Sequence, residues 1–290
     1  MKPPLHFQRF QLPFVGVRLQ ALNAQREVLK GVVASGFIRR LAGRLYLYTC
    51  WHVVTGFDLY DVRVGLNLPN RRYLELTLQT AEQRNPSTQV VGGTQTVTVP
   101  LYDDGPPQPS TPLWEQDNQH IPHPDLNAVR LYVPFWHDVV RIELPPDIAL
   151  SDLQVIDEQR LFKGNIASLS PGDKCMVVGY PYGFSAFGPQ QPTPVALTRF
   201  VASDRIAERH QQLLLEGIAA PGMSGGPVFV ERDDELLLFG VYTGSIYPDF
   251  ALNSNEKVTA LGTVANLSMH LWDHLQLVRG PSEPVSQSGG

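Results

Sequence analysis

Cysteine is nearly absent: the 290-residue chain has two, Cys50 and Cys175. A small secreted scaffold held by several disulfides is therefore excluded, and two buried thiols in a reduced intracellular protein are expected. Long apolar runs are also missing, and no stretch could span a bilayer as a helix. The opening MKPPLHFQRFQLPF lacks the continuous apolar segment of a secretory leader. The expected location is thus cytoplasmic, with no membrane partner. Basic blocks are lacking too. Lys and Arg number 23 against 28 Asp and Glu, for a net charge of −5. Phosphate recognition needs clustered cations, so no nucleic-acid partner is expected.

Glycine and proline are plentiful, at 24 and 25, and the runs between them are short. VGVRLQAL, SGFIRR, RLYLYTCWHVV, YLELTLQT, TQTVTVPLY, HDVVRIEL, KCMVVGY and LLLFGVYTG are rich in Val, Leu, Tyr and Thr, and many alternate. This pattern predicts an all-β sandwich or barrel. One helix is predicted over residues 258–278, where Val264, Leu267, Leu271, Leu275 and Val278 recur at steps of three and four before Gly280-Pro281. A shorter helix is predicted near Ile148–Asp157. The ending PSEPVSQSGG reads as a disordered tail over 279–290.

The stretch PGMSGGPVFV, Pro221–Val230, fits two catalytic motifs by its letters. Gly222-Met223-Ser224-Gly225-Gly226 matches the G-x-S-x-G elbow of α/β-hydrolases, which requires a helix after the serine and a histidine later still. Neither requirement is met well. PVFV is strand-like, and the later histidines His270 and His274 lie on the predicted helix. Their spacing of four also suits a metal, yet no further ligand accompanies them, so a solvated helix face is the expectation.

Upstream, Thr49-Cys50-Trp51-His52-Val53 closes a β-rich run. With Ser35-Gly36-Phe37, Gly179-Tyr180-Pro181-Tyr182-Gly183 and Gly222-Met223-Ser224-Gly225-Gly226-Pro227, it falls in an order that resembles the trypsin-like (chymotrypsin-fold) serine peptidases, in particular their bacterial and HtrA-like branch. Histidine before serine is the order of that family. The resemblance implies two antiparallel six-stranded β-barrels with a C-terminal α-helix. Residues 1–145 would carry His52 and Asp138, residues 146–258 would carry Ser224, and the helix would occupy 259–278. No PDZ-like extension is expected after that helix.

The family's triad needs a carboxylate between histidine and serine. Asp138 opens the alternating strand DVVRIEL and is preferred. Asp125, in the proline-flanked HPDLNAV, is the alternative, with Asn127 close by. An insertion is expected around residues 80–120. In the implied chemistry Ser224 acylates, His52 shuttles the proton, the acid orients His52, and the N–H groups of Gly222 and Ser224 hold the oxyanion. Met223 stands where digestive relatives keep an activating aspartate, so activation by N-terminal cleavage is not expected.

Thr243, Gly244 and Ser245 would pair with an extended peptide, and Ile218 and Ala219 would line the base of the specificity pocket. No acid is present there, so a small or medium apolar side chain is expected ahead of the cut. The implied activity is serine endopeptidase, needing no metal or organic cofactor and acting on a protein or peptide. The rival reading is an impaired pseudo-protease that binds peptides in the same cleft. Oligomeric state is not indicated.

Overall fold

A computed structural model describes residues 9, 12–57, 71–85, 88–103, 112–116, 138–148, 150–162, 169–185, 193–203, 212–217, 220–246 and 261–267. The described chain is mostly β. In its first half β1 (Gly16–Leu22) pairs with β2 (Val28–Leu41) and with β4 (Tyr73–Asn85). Beyond β2 come β3 (Arg44–Thr49), β7 (Val140–Glu143) and β6 (Trp114–Gln116), while β5 (Thr88–Pro100) forms the opposite edge. Strands β4 and β5 form a long hairpin, whose ladder runs from Tyr73–Pro100 to Asn85–Thr88.

This half is an eight-stranded sheet. A closed first barrel is not among its described pairings. Among the described residues, the chain just past β5 meets the chain just before β6 at an isolated bridge, Tyr102–Pro112. The eighth strand, β8 (Val155–Asp157), comes from the segment where a short helix is predicted and lies parallel to Ile38–Arg40 of β2. The short helix predicted near Ile148–Asp157 is therefore corrected: one 3-10 turn, Asp152–Gln154, leads into that strand. Extended pairing to β2 wins because it buries Val155 and Ile156 against the core.

The second half closes into a six-stranded barrel in the order β10, β11, β14, β13, β12, β9. Its strands are β9 (Lys174–Gly179), β10 (Val195–Ser203), β11 (Gln212–Leu215), β12 (Pro227–Arg232), β13 (Glu235–Ile246) and β14 (Leu261–Asn266). Strand β14 corrects the predicted C-terminal helix over residues 261–266. Its ladders to both β11 and β13 close the barrel, a long-range gain that overrides the helical spacing of Val264 and Leu267. The rest of that predicted helix, with His270 and His274, lies outside the described residues, as does the predicted tail.

Burial explains why KCMVVG and PVFV are continuously apolar. Along β9, Cys175 and Val177 join the barrel interior, whereas Met176 and Val178 join the core shared with the first sheet. Along β12, Val228 and Val230 point inward, and Phe229 joins the shared core. Side chains alternate faces, so a strand covered on both sides loses the polar half of its pattern. No helix of the described residues is long and apolar enough to cross a membrane.

Close strand contact at Gly240 gives a test. A Cβ there would lie 2.1 Å from the Ala265 carbonyl oxygen. Gly240→Ala should destabilise the protein by about 1–3 kcal/mol through forced separation of β13 and β14. Urea unfolding should read this as a lower midpoint, with full wild-type stability as the contrary result.

Candidate active site

The antiparallel register of β3 and β7 pairs Thr49 with Val140. Continuing that register past the strand ends brings Asp138 alongside the chain at Trp51–His52. There the backbone leaves the strand and forms the short helix α1 (Trp51–Thr55), correcting the expectation that RLYLYTCWHVV is one extended run. Gly56, left-handed at φ 78°, ends the helix, and its N–H donates to the His52 carbonyl at 3.0 Å.

His52 and Asp138 come together in this arrangement. His52 N–H donates to Asp138 Oδ1 at 2.9 Å, and His52 Nδ1 lies 2.7 Å from Oδ2. One carboxylate thus grips both the backbone and the ring of the same residue. A carboxylate only accepts, so the ring proton belongs on Nδ1, which leaves the lone pair of the neutral imidazole on Nε2. Asp138 is fully buried, and His52 keeps 16% of its side chain exposed.

Two further residues fix this turn, and neither was legible as functional in the sequence. Arg71, 5% exposed, donates from Nη1 to the carbonyls of His52, at 3.0 Å, and Val53. Burial lowers its pKa to about 10, so it remains a cation at neutral pH. A buried cation at the carbonyl end of α1 complements the exposed C=O groups there. Cys50, fully buried, directs its thiol to the Tyr242 carbonyl at 3.3 Å. Burial pushes that thiol well above its ordinary pKa, and the adjacent Asp138 carboxylate pushes it further.

Ser224 lies in two successive tight turns. Met223 N–H donates to the Ala220 carbonyl at 3.1 Å, and Gly226 N–H to the Met223 carbonyl at 2.9 Å. Gly222 (φ 94°) and Gly225 (φ 88°) occupy the third position of each turn, where a type II geometry requires positive φ. Side chains are excluded for a second reason: a Cβ on Gly222 would lie 2.4 Å from the Tyr180 carbonyl, and one on Gly225 2.1 Å from that of Ser35. Among the described residues, the N–H groups of Gly222 and Ser224 donate to no carbonyl, whereas that of Gly225 donates to Tyr242 O at 2.8 Å. The Tyr242 carbonyl therefore joins the serine turn to the segment that carries His52. Met223 is fully buried in the barrel interior.

Ser35 adds a second tie. Its N–H donates to Ser224 O at 2.9 Å, and its hydroxyl donates to Gly222 O at 2.7 Å while accepting from Tyr180 N–H at 2.9 Å. Thr49 Oγ1 in turn donates to Ser35 O at 2.9 Å. These partners are too distant in sequence for local pattern to reveal.

Thr243, expected with Gly244 and Ser245 to pair with an extended peptide, turns its hydroxyl to Thr263 Oγ1 at 2.8 Å and is 1% exposed, so any such pairing falls to its backbone. Its backbone, with Gly244 and Ser245, continues β13 past Val241, where the ladder to β12 ends and that to β14 persists to Ile246–Leu261. Ile218, Ala219 and the alternative acid Asp125 lie outside the described residues.

No family model matches the chain, and no curated protein matches it. Among solved structures it is similar to an HtrA-type protease, AlgW, with tripeptide, at 13% identity and a TM-score of 0.49, covering 96% of this chain and 64% of that one. A serine-to-alanine variant of that protease, also with tripeptide, gives 12% identity with the same TM-score and coverage. The chain thus spans 64% of the length of these proteins. At such values the likeness carries no residue-by-residue correspondence.

Ser35→Ala would remove a donor to Gly222 O and leave the buried Tyr180 N–H without its acceptor. A cost of about 1–3 kcal/mol is expected, read as a lowered urea midpoint. Ser35→Thr, which keeps the hydroxyl, should recover part of it. An unchanged midpoint for Ser35→Ala would show the hydroxyl to be dispensable.

Proposed function

We propose that the chain is a serine endopeptidase of the trypsin-like class, with His52, Asp138 and Ser224 as its triad. The observation that carries this reading is the two-point grip of Asp138 on His52. It fixes the tautomer and ring orientation a general base needs, and directs Nε2 away from the acid. Ser224 Oγ attacks the peptide carbonyl while His52 Nε2 takes its proton. The resulting imidazolium is stabilised by Asp138 and then protonates the leaving amine. Water hydrolyses the acyl-enzyme by the same steps.

The N–H groups of Gly222 and Ser224 are the donors for the tetrahedral oxyanion, and each such donor contributes about 2.7–4 kcal/mol to lowering the barrier. They need no reorganisation during reaction, because two turns and Ser35 already fix the backbone. The peptide adds as a strand along β13 at Thr243–Ser245, through backbone contacts. In this reading residues 1–145, a first barrel, hold the base and acid, and residues 146–258 hold the nucleophile. Both cysteines are free and buried, which suits the reducing cytoplasm we assign to the protein.

A fluorophosphonate probe tests the assignment. The wild type should be labelled once per chain, Ser224→Ala not at all, and His52→Ala at a rate lowered by orders of magnitude. Asp138→Asn should slow labelling on the order of 10⁴-fold, since the amide stabilises the wrong tautomer. Asp125→Asn should label at the wild-type rate. A folded wild type that resists labelling but binds peptides would replace this reading with the pseudo-protease one.

A further inference from the structure

We propose that Cys50, His52 and Asp138 form an inhibitory zinc site, in which Zn²⁺ takes the place of the proton between His52 and Asp138. The regulatory consequence rests on His52 being the catalytic base; the binding itself does not.

Three ligands of three kinds converge here. The Cys50 sulfur, a His52 ring nitrogen and an Asp138 carboxylate oxygen all lie within 4.8 Å of one another. Thiolate, imidazole and carboxylate are the donors Zn²⁺ takes in proteins, at about 2.3 Å for sulfur and about 2.0–2.2 Å for nitrogen and oxygen. A tetrahedral ion at those lengths sets its ligands roughly 3.3–3.7 Å apart. The 2.7 Å pair of His52 Nδ1 and Asp138 Oδ2 must then open by less than about 1 Å. The fourth position has a nearby oxygen as well. Tyr242 O is 3.3 Å from the Cys50 sulfur and now accepts the thiol's hydrogen bond, so loss of that proton releases a lone pair facing the site.

Charge favours the same occupant. Cys50 and Asp138 are fully buried, and a buried net charge is costly. A dication with one thiolate and one carboxylate sums to zero, so the ion neutralises the groups that hold it. The proton balance is simple. The thiol gives one proton to solvent, and the imidazole moves its own from Nδ1 to Nε2, staying neutral. That tautomer has no lone pair on Nε2, so it cannot accept the Ser224 proton, and activity stops without any change at the serine. Of the three ligands only His52 is partly exposed. The ion must enter past the ring, and slow onset is expected.

The experiment titrates the full chain with ZnCl₂ by calorimetry and with Co²⁺ by absorbance, where a sulfur-to-cobalt charge-transfer band reports thiolate ligation without any appeal to activity. The expected result is a cobalt–thiolate band in the wild type, a Zn²⁺ affinity lowered in Cys50→Ser by at least the roughly 10–100-fold that loss of an outer-shell partner costs, and time-dependent loss of fluorophosphonate labelling that EDTA reverses. Cys50→Ala provides a second variant should Cys50→Ser not fold, and Cys175→Ala, which should keep the band, assigns it to Cys50 rather than to the other free thiol. His270→Ala with His274→Ala should keep the band. A wild-type spectrum without the band, or Zn²⁺ affinity unchanged in both Cys50 variants, overturns the site. A wild type that shows the band but never labels leaves the zinc site standing and removes the peptidase reading.

Discussion

The arrangement of the site depends on one carboxylate holding one residue at two points. Asp138 accepts from the His52 backbone N–H and from its ring. The far side of the same residue is held by cations and dipoles, since the His52 carbonyl accepts from Arg71 and from the Gly56 N–H. A negative group on the N–H and a positive group on the C=O align with the polarity of the backbone between them. Arginine suits this place because its charge persists under burial, and its Nη1 donates to both adjacent carbonyls. With backbone and Nδ1 fixed, Nε2 is the ring atom left for chemistry.

The half of the site that carries Ser224, the nucleophile we propose, is built from backbone rather than charge. Its glycines answer to contacts made by distant segments: Tyr180 O closes on Gly222, Ser35 O on Gly225 and Val178 O on Gly226. Close approach lets Ser35, on a strand of the first sheet, bond directly to the turn that carries Ser224. Tyr242 O then accepts from both Gly225 and Cys50. The two halves are thus joined by short polar contacts in a dry region, where an unmade hydrogen bond is costly and slack geometry is disfavoured.

His52, Asp138 and Ser224 stand out in the sequence because each lies within three residues of a strand end, and strand ends show as a break in alternation. Asp138 was favoured over Asp125 on that ground, and it is Asp138 that meets His52. Residues acting through partners far along the chain were not legible: Ser35 bonds to Gly222, 187 positions away, and Cys50 to Tyr242, 192 away. Arg71 gave no signal because an arginine just before a strand is ordinarily solvated. The error at β14 has a clear cause. Val264 and Leu267 fit a helical stripe, but ladder partners on both sides, which periodicity does not register, made the segment a strand. The open or closed state of the first sheet likewise turns on edge pairing, not on the pattern within any strand.

Register also couples the nucleophile to the strand we propose for substrate. Strand β12 begins at Pro227, three residues after Ser224, and Pro227 pairs with Val241. Whatever ends the serine turn therefore also ends the ladder along that side of β13. The side of β13 relinquished there is the side on which Ser224 lies, because Gly225 and Gly226 make the last two bonds to Tyr242 before the chain turns away. A peptide adding along Thr243–Ser245 would thus continue the line of β12 and arrive at the nucleophile in a position set by strand register. Proline suits the junction: it lacks an N–H and starts a strand without a donor to satisfy. The pairing of β12 with β13 inside the closed barrel and the alignment of substrate with serine that we propose thus share one geometric origin.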